Sequence, residues 1–438
     1  MNTLEILSCS SHEDGKLLAT YRFGQHEFHR GIILPERVAN EFSQEDYLAM
    51  KLHYYIALAD AIYCYDLDYF DEITVPFMLD AEEVSYFETT FFKGLAEFRY
   101  TNNIELSRKI TIRVSPSAKV LSHSVDGRSL SVTDDKALLL NGGGKDGAVA
   151  CELAKQLRLN LAWCSLTSRE IRRKVANVSG VKDYLEVERI PCEVKAFQKK
   201  YQGHKPMSLF VAMVSTLTAY LDGRKYVIAA NEYSANFPNV IVDGESINHQ
   251  YTKSAEHEAS TSSLFEHAGI PVRYFSITRP LYELQIMKIF ARFPKYHSEF
   301  LSCNRGLKDG KWCLKCAKCA FVVGGLYIFD QASAESVWGP KNEVYHPSKK
   351  LVDESIELIN PDVKPFECIG TTEENAVLLA SLLRDIKLTG EQRMRYEKYL
   401  AAISDRAGVS LESLNDSNHF PPEFRDRLLV ILEHELVR

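Results

Sequence analysis

An α/β fold organised on a parallel sheet is predicted by three observations: a short apolar strand, a glycine loop that opens a helix, and repeated strand–helix alternation beyond it. The apolar run is Ala137-Leu138-Leu139-Leu140, and Asn141-Gly142-Gly143-Gly144-Lys145-Asp146-Gly147 follows it. Val149, Leu153 and Leu157 then recur at helical spacing, with Ala150 and Ala154 beside them. Such a unit is a phosphate cradle. Glycines let the backbone approach an anion, and the free N–H groups of the first helical turn point at it. The loop has neither the G-x-x-x-x-G-K-[ST] nor the G-x-G-x-x-G spacing, so terminal-phosphate transfer and dinucleotide binding are disfavoured. A plain turn between strand and helix would use the same residues.

Gly142 to Gly147 instead resembles the S-G-G-x-D-S loop of the PP-loop ATP pyrophosphatases, which adenylate a substrate and release pyrophosphate. Gly142 and Gly147 stand where that family usually carries serines, so two hydroxyl donors are missing and backbone donors must serve.

The whole chain sets the bounds. Its 438 residues suffice for two or three domains, with 45% hydrophobic and 25% charged residues, enough to bury a core without disulfides. Net charge is −7 with no long basic run, which argues against a nucleic-acid partner. Met1 to Ser11 lacks the charged and apolar regions of a signal peptide. No apolar stretch approaches the roughly 20 residues of a membrane helix, so a cytoplasmic protein without a membrane partner is expected. Oligomeric state leaves no trace in the sequence.

Residues 1–125 read as an N-terminal α/β domain, with strands over 17–23, 27–34 and 104–114 and an aromatic-rich helix over 47–65. Glu97 and Arg99 sit at the expected end of a strand, either as a substrate-contacting pair or as a solvated ion pair of little energetic worth. A polar stretch over 126–135 marks a boundary, after which 126–330 forms the loop-bearing domain and 331–438 a helical C-terminal region. The second core strand spans 161–166 and should end facing the glycine loop, because ligands in open α/β sheets lie at the strand ends. Ser165, Leu166 and Thr167 are therefore candidates to touch an adenosine. Arg169, Arg172, Arg173 and Lys174 contact phosphates or form a solvated helix face.

A buried helix over 208–220 precedes a third core strand over 225–230, which runs into the polar segment Asn231 to Asn236. There Glu232 suits magnesium or a substrate amine, and Asn236 suits a ligand or a helix cap. Asn248 to Ser254, with His249 and Lys253, is dense in proton-transfer groups. Helix, strand and helix follow over 255–267, 272–277 and 282–293, and helical patterns return over 374–383, 392–403 and 424–436.

Cys303, Cys313, Cys316 and Cys319 form C-x9-C-x2-C-x2-C. Thiolates three apart on a tight turn converge on one ion, and Cys303 closes a tetrahedron. Four soft ligands with no open position favour structural zinc over an iron–sulfur cluster, with Lys311, Lys315 and Lys318 offsetting the thiolate charge.

A PP-loop followed by four cysteines looks like the zinc-containing PP-loop enzymes, among them the 7-cyano-7-deazaguanine synthases, which are shorter and lack such an N-terminal domain. The segments 94–103, 231–236 and 248–254, Ser302-Cys303-Asn304, and Trp312-Cys313 to Val322 are similar to the UDP-N-acetylmuramoyl-L-alanyl-L-glutamate epimerase family, over most of the chain in order. The resemblance implies an adenine nucleotide α-hydrolase-like fold and ATP-dependent inversion of the terminal L-glutamate of UDP-MurNAc-L-Ala-L-Glu, a nucleotide-linked peptidoglycan precursor. It also implies an acyl-adenylate, with AMP and pyrophosphate released. On this reading Gly142, Gly143, Gly144 and Gly147 hold the pyrophosphate of ATP, Asp146 helps hold magnesium and Lys145 neutralises phosphate. Glu232, His249 and Lys253 are the candidate epimerising bases. Another adenylating enzyme of this fold and a non-catalytic nucleotide module are the alternatives.

Overall fold

Side chains alternate across a strand, and in 133–140 this sends Ala137 and Leu139 to one core and Leu138 to another, so both faces of the sheet are covered. The computed structural model describes residues 2–121, 130–167, 169–192, 200–406 and 408–437. The strands are β1 (Thr3–Ser11), β2 (Lys16–Phe23), β3 (His26–Ile33), β4 (Glu72–Phe77), β5 (Thr111–Lys119) and β6 (Thr133–Leu140). They continue with β7 (Asn160–Leu166), β8 (Asp183–Ile190), β9 (Arg224–Ala229), the hairpin β10 (Val240–Val242) and β11 (Glu245–Ile247), and β12 (Arg273–Ser276).

All but the hairpin form one ten-stranded sheet in the order β12-β9-β6-β7-β8-β3-β2-β1-β4-β5. The expected parallel core is β12, β9, β6, β7 and β8. β3 joins β8 antiparallel, through Gly31 to Ile33 against Glu188 to Ile190, so the N-terminal strands extend the same sheet.

One face carries the helices Tyr47–Ala61 and Met207–Leu221. Asp46 caps the first by accepting from the N–H groups of Leu48 (2.9 Å) and Ala49 (3.1 Å), and its second oxygen accepts from the Tyr220 hydroxyl at 2.8 Å. Helices Lys145–Lys155, Glu283–Phe290 and Ala317–Phe329 cover the other face. Outside them pack Lys350–Glu357, Thr372–Leu382, Gly390–Ala402 and Arg425–Val437. Among the described residues no helix is long and apolar enough to cross a membrane.

The strand expected over 104–114 begins only at Thr111, and Glu97 and Arg99 lie on a short helix, Ala96–Thr101. The cause is local. The Arg99 guanidinium donates to the carbonyls of Phe92 (2.5 Å) and Leu106 (3.1 Å), which folds the intervening chain around it. Within the polar stretch 126–135, residues 126–129 lie outside the described residues and β6 already starts at Thr133.

Candidate active site

The glycine loop is held from three directions. Asn141 accepts from Gly143 N–H at 2.9 Å and donates to the Arg172 carbonyl at 2.9 Å. Leu301 N–H donates to the Gly143 carbonyl at 3.0 Å, and Lys145 N–H donates to Ser302 Oγ at 3.4 Å. Gly143 has φ +80°, and a Cβ there would lie 2.9 Å from the Ile171 side chain. Among the described residues nothing lies within 4 Å of the corresponding position at Gly142, so the serine usual in such loops has room. Gly143→Ala is therefore expected to cost about 1–3 kcal/mol in urea denaturation. Gly142→Ser should stay within about 0.5 kcal/mol of the parent. Equal effects at the two positions would contradict this geometry.

Beyond the loop, the carboxyl ends of the parallel strands open on a cavity of about 270 Å³ lined by Gly142, Gly144, Asp146, Lys253, Lys318 and Cys368, among others. Behind Asp146, the fully buried Lys145 ammonium pairs with that carboxylate and with Glu283 at 2.9 Å. Lys318 pairs with Glu283 at 3.2 Å and donates to the Cys368 carbonyl. Burial works against the Asp146 carboxylate, but Lys145 and Lys318 hold it below the usual range. For Glu283, burial and the neighbouring Asp146 charge prevail and push its carboxyl up. One Glu283 oxygen is buried without a hydrogen-bond partner among the described residues.

Of the three candidate bases, one lines this cavity. Lys253 lines it, 3.5 Å from Cys368 Sγ. Glu232 is buried outside the lining and accepts from Gln250 Nε2 at 2.6 Å. Although burial opposes it, the Lys253 cation keeps Glu232 below the ordinary carboxylate range. His249 packs against His204 with ring centroids 4.0 Å apart and planes tilted by 40°, and its Nδ1 lies 4.0 Å from Glu97. Burial lowers both imidazoles, His204 further because His249 adds to the effect, so both are neutral at neutral pH.

Buried arginine chemistry aligns this wall. Arg279, fully buried, donates to Glu258 from Nε (3.0 Å) and Nη2 (2.5 Å). It also donates to the Glu232 and Lys253 carbonyls, each at 2.7 Å. One guanidinium thus fixes the backbone of two candidate residues.

Other predicted contacts have protein partners. Ser165 is buried and accepts from the Tyr184 hydroxyl at 2.6 Å. Thr167 has φ +72°, and its carbonyl, like that of Leu166, accepts from Arg172. Among the described residues, Ser165, Leu166 and Thr167 do not line the cavity. Arg173 pairs with Glu186 (2.8 Å) and Lys174 with Glu170 (3.0 Å). Asn236 is a cap, accepting from Ala255 N–H at the start of helix Ala255–His267 at 2.7 Å. Arg99 lines a separate cavity of about 390 Å³, with Phe92, Asn248 and Tyr251.

The four cysteines converge as their spacing predicts. Sγ atoms of Cys303, Cys313, Cys316 and Cys319 all lie within 4.8 Å of one another, a set able to hold a metal and consistent with zinc. Backbone N–H groups face the sulfurs: Gly306 and Cys313 donate to Cys303 Sγ at 3.2 and 3.4 Å, and Lys315 to Cys313 Sγ at 3.4 Å. Cys303 follows Ser302, which touches the glycine loop, so the metal set braces that loop. Lys311 and Lys315 are exposed near the sulfurs, whereas Lys318 is buried in the Glu283 cluster, away from its expected place as a thiolate counter-ion.

Sequence reasoning missed Glu283, Arg279, Glu258, Lys364 and Cys368. Charged residues at the end of an apolar pattern look solvated in a sequence, and Cys368 resembles any scattered thiol. The one available signal was Glu283 at the predicted start of a helix.

Fold and site together define an α/β protein with a glycine-loop, cation-lined cavity at the ends of a parallel sheet and a four-cysteine centre bracing the loop. The chain belongs to the MurL family: the model of the MurL N-terminal domain matches residues 1–277 and that of the MurL C-terminal domain residues 299–410. Curated relatives agree. The Micromonospora protein named UDP-N-acetyl-alpha-D-muramoyl-L-alanyl-L-glutamate epimerase is 31% identical over 330 residues, 71% of this chain and 70% of its own length. The Salinispora tropica protein of the same name is 32% identical, over 71% of this chain and 68% of its own. That of Xanthomonas oryzae pv. oryzae is 28% identical over 70% and 68%.

Proposed function

We propose that this protein is an epimerase of peptidoglycan precursor synthesis that inverts the terminal L-glutamate of UDP-MurNAc-L-Ala-L-Glu, with ATP as co-substrate. The observation that carries the reading is that the glycine loop and Asp146 share one cavity with Lys253, Lys318 and Cys368, in a chain whose relatives bear the epimerase name.

The chemistry requires activation. Removing an α-proton beside a carboxylate would place a second negative charge next to the first. Adenylating the carboxylate makes a mixed anhydride whose carbonyl accepts the carbanion charge, and water later releases AMP. The backbone N–H groups of Gly142, Gly144, Asp146 and Gly147, residues that line the cavity, suit the pyrophosphate portion of ATP. Lys253 and Lys318, the cations that line the cavity, offset its negative charge. Lys145, buried behind, pairs with Asp146, and Asp146 would help hold magnesium from the cavity wall. Cys303, Cys313, Cys316 and Cys319 would hold zinc as a structural ion, since four thiolates leave it no open position.

The test is release of AMP and pyrophosphate from ATP and magnesium with and without UDP-MurNAc-L-Ala-L-Glu, followed by chiral analysis of the glutamate. Substrate-dependent AMP together with D-glutamate is expected. AMP release with no inversion would refute the epimerase reading.

A further inference from the structure

We propose that Cys368, whose Sγ lies 3.5 Å from Lys253 Nζ on the cavity wall, is the group that takes the α-proton of the activated glutamate. This rests on the epimerase reading above and adds to it the identity of a base. Elimination among the groups of the cavity wall leads to it.

Among the described residues, the titratable side chains that line the cavity are Asp146, Lys253, Tyr274, Cys303, Lys318 and Cys368. Asp146 is engaged by Lys145, and Cys303 belongs to the metal set. Burial pushes the Tyr274 phenol up to about 12, so it is neutral at neutral pH. Against burial, Cys368, Glu232 and Asp146 raise Lys253 above the ordinary lysine value, and Lys318 is engaged by Glu283 at 3.2 Å. A protonated lysine can donate a proton but cannot take one. Glu232 and His249, the other two candidate bases, do not line the cavity. Cys368 is what remains.

Sγ accepts from Lys253 Nζ at 3.5 Å, so a cation holds the sulfur at the cavity wall. Lys364, on the same loop but outside the cavity lining, is 5% exposed with no hydrogen-bond partner for Nζ among the described residues, and burial lowers its amine below the ordinary lysine value.

The step balances without an oxidant or reductant. Sγ forms a bond to the α-proton, the C–H electron pair passes to the α-carbon and delocalises into the activated carbonyl, and the thiol is left neutral. The carbanion then collects a proton on its opposite face from solvent water, and the hydroxide left behind takes the proton from the thiol.

The experiment compares wild type with Cys368→Ser and Cys368→Ala in D2O, with ATP, magnesium and UDP-MurNAc-L-Ala-L-Glu. Pyrophosphate release and deuterium at the glutamate α-carbon are read from the same sample. Both variants should keep most of the substrate-dependent pyrophosphate release while α-deuterium incorporation falls by at least about 100-fold. Incorporation near the wild-type rate in either variant overturns the proposal. So does loss of pyrophosphate release together with exchange in both, which would place the thiol in folding or adenylation. Failure of wild type itself to release pyrophosphate with this substrate would instead remove the epimerase reading, and the base assignment with it.

Discussion

Asp146→Asn is expected to cut substrate-dependent pyrophosphate release by at least about 100-fold, the scale on which single electrostatic groups act in a reaction, while leaving the fold intact. Asp146 lies on the first turn of helix Lys145–Lys155, and its side chain lines the cavity. Its neighbour Lys145 is fully buried, but Glu283 at 2.9 Å remains as counter-ion when the Asp146 charge is removed. Asparagine has the same shape and still accepts from Lys145. What it lacks is the negative charge that would hold magnesium. Thermal melting close to wild type, with pyrophosphate release lost, is the predicted pair of results. Unchanged release in the variant would take Asp146 out of the reaction.

Arg279→Met should instead act on the scaffold, lowering stability by about 3–5 kcal/mol, as expected when one member of a buried ion pair is removed. Among the described residues Glu258, 1% exposed, would keep only the Ser276 N–H at 3.0 Å. The Glu232 and Lys253 carbonyls would each lose a donor at 2.7 Å, so the cavity wall carrying Lys253 should loosen as well. The loss is read as a shift in urea midpoint. Glu258→Leu combined with Arg279→Met should recover part of it, because neither charge is then buried alone. A midpoint unchanged in Arg279→Met would show that the pair contributes nothing net to stability.

The signals that were legible in the sequence are those carried by neighbouring residues. Four apolar residues, three glycines and the helical recurrence of Val149, Leu153 and Leu157 specify strand, loop and helix within a single stretch of chain. The cysteine spacing likewise predicts convergence, because the turn from Cys313 to Cys319 is short and has few ways to fold. The exposed pairing of Lys174 with Glu170 is of the same local kind, since residues four apart on a helix share a face.

Long-range neighbours were not legible. Periodicity tells which side of an element is buried but not what it meets, so Lys318 looked like a counter-ion to nearby thiolates and proved to be paired with Glu283. Glu97 and Arg99 looked like partners, but one faces His204 N–H at 2.9 Å and the other holds the Phe92 and Leu106 carbonyls. Cys368 comes from the C-terminal region, where no motif marks it. It reaches the cavity because Glu374 ties the helix that follows it to Ser234 (2.6 Å) and to Leu284 N–H (2.8 Å). By itself, then, the sequence determined the parallel α/β core, the glycine loop and the four-cysteine set, all encoded by residues close in the chain. Only the tertiary structure decided which charges are buried together and which thiol faces the loop. Those contacts join segments far apart in the chain, such as Asp146 and Cys368, whose proximity depends on how the sheet and its covering helices pack.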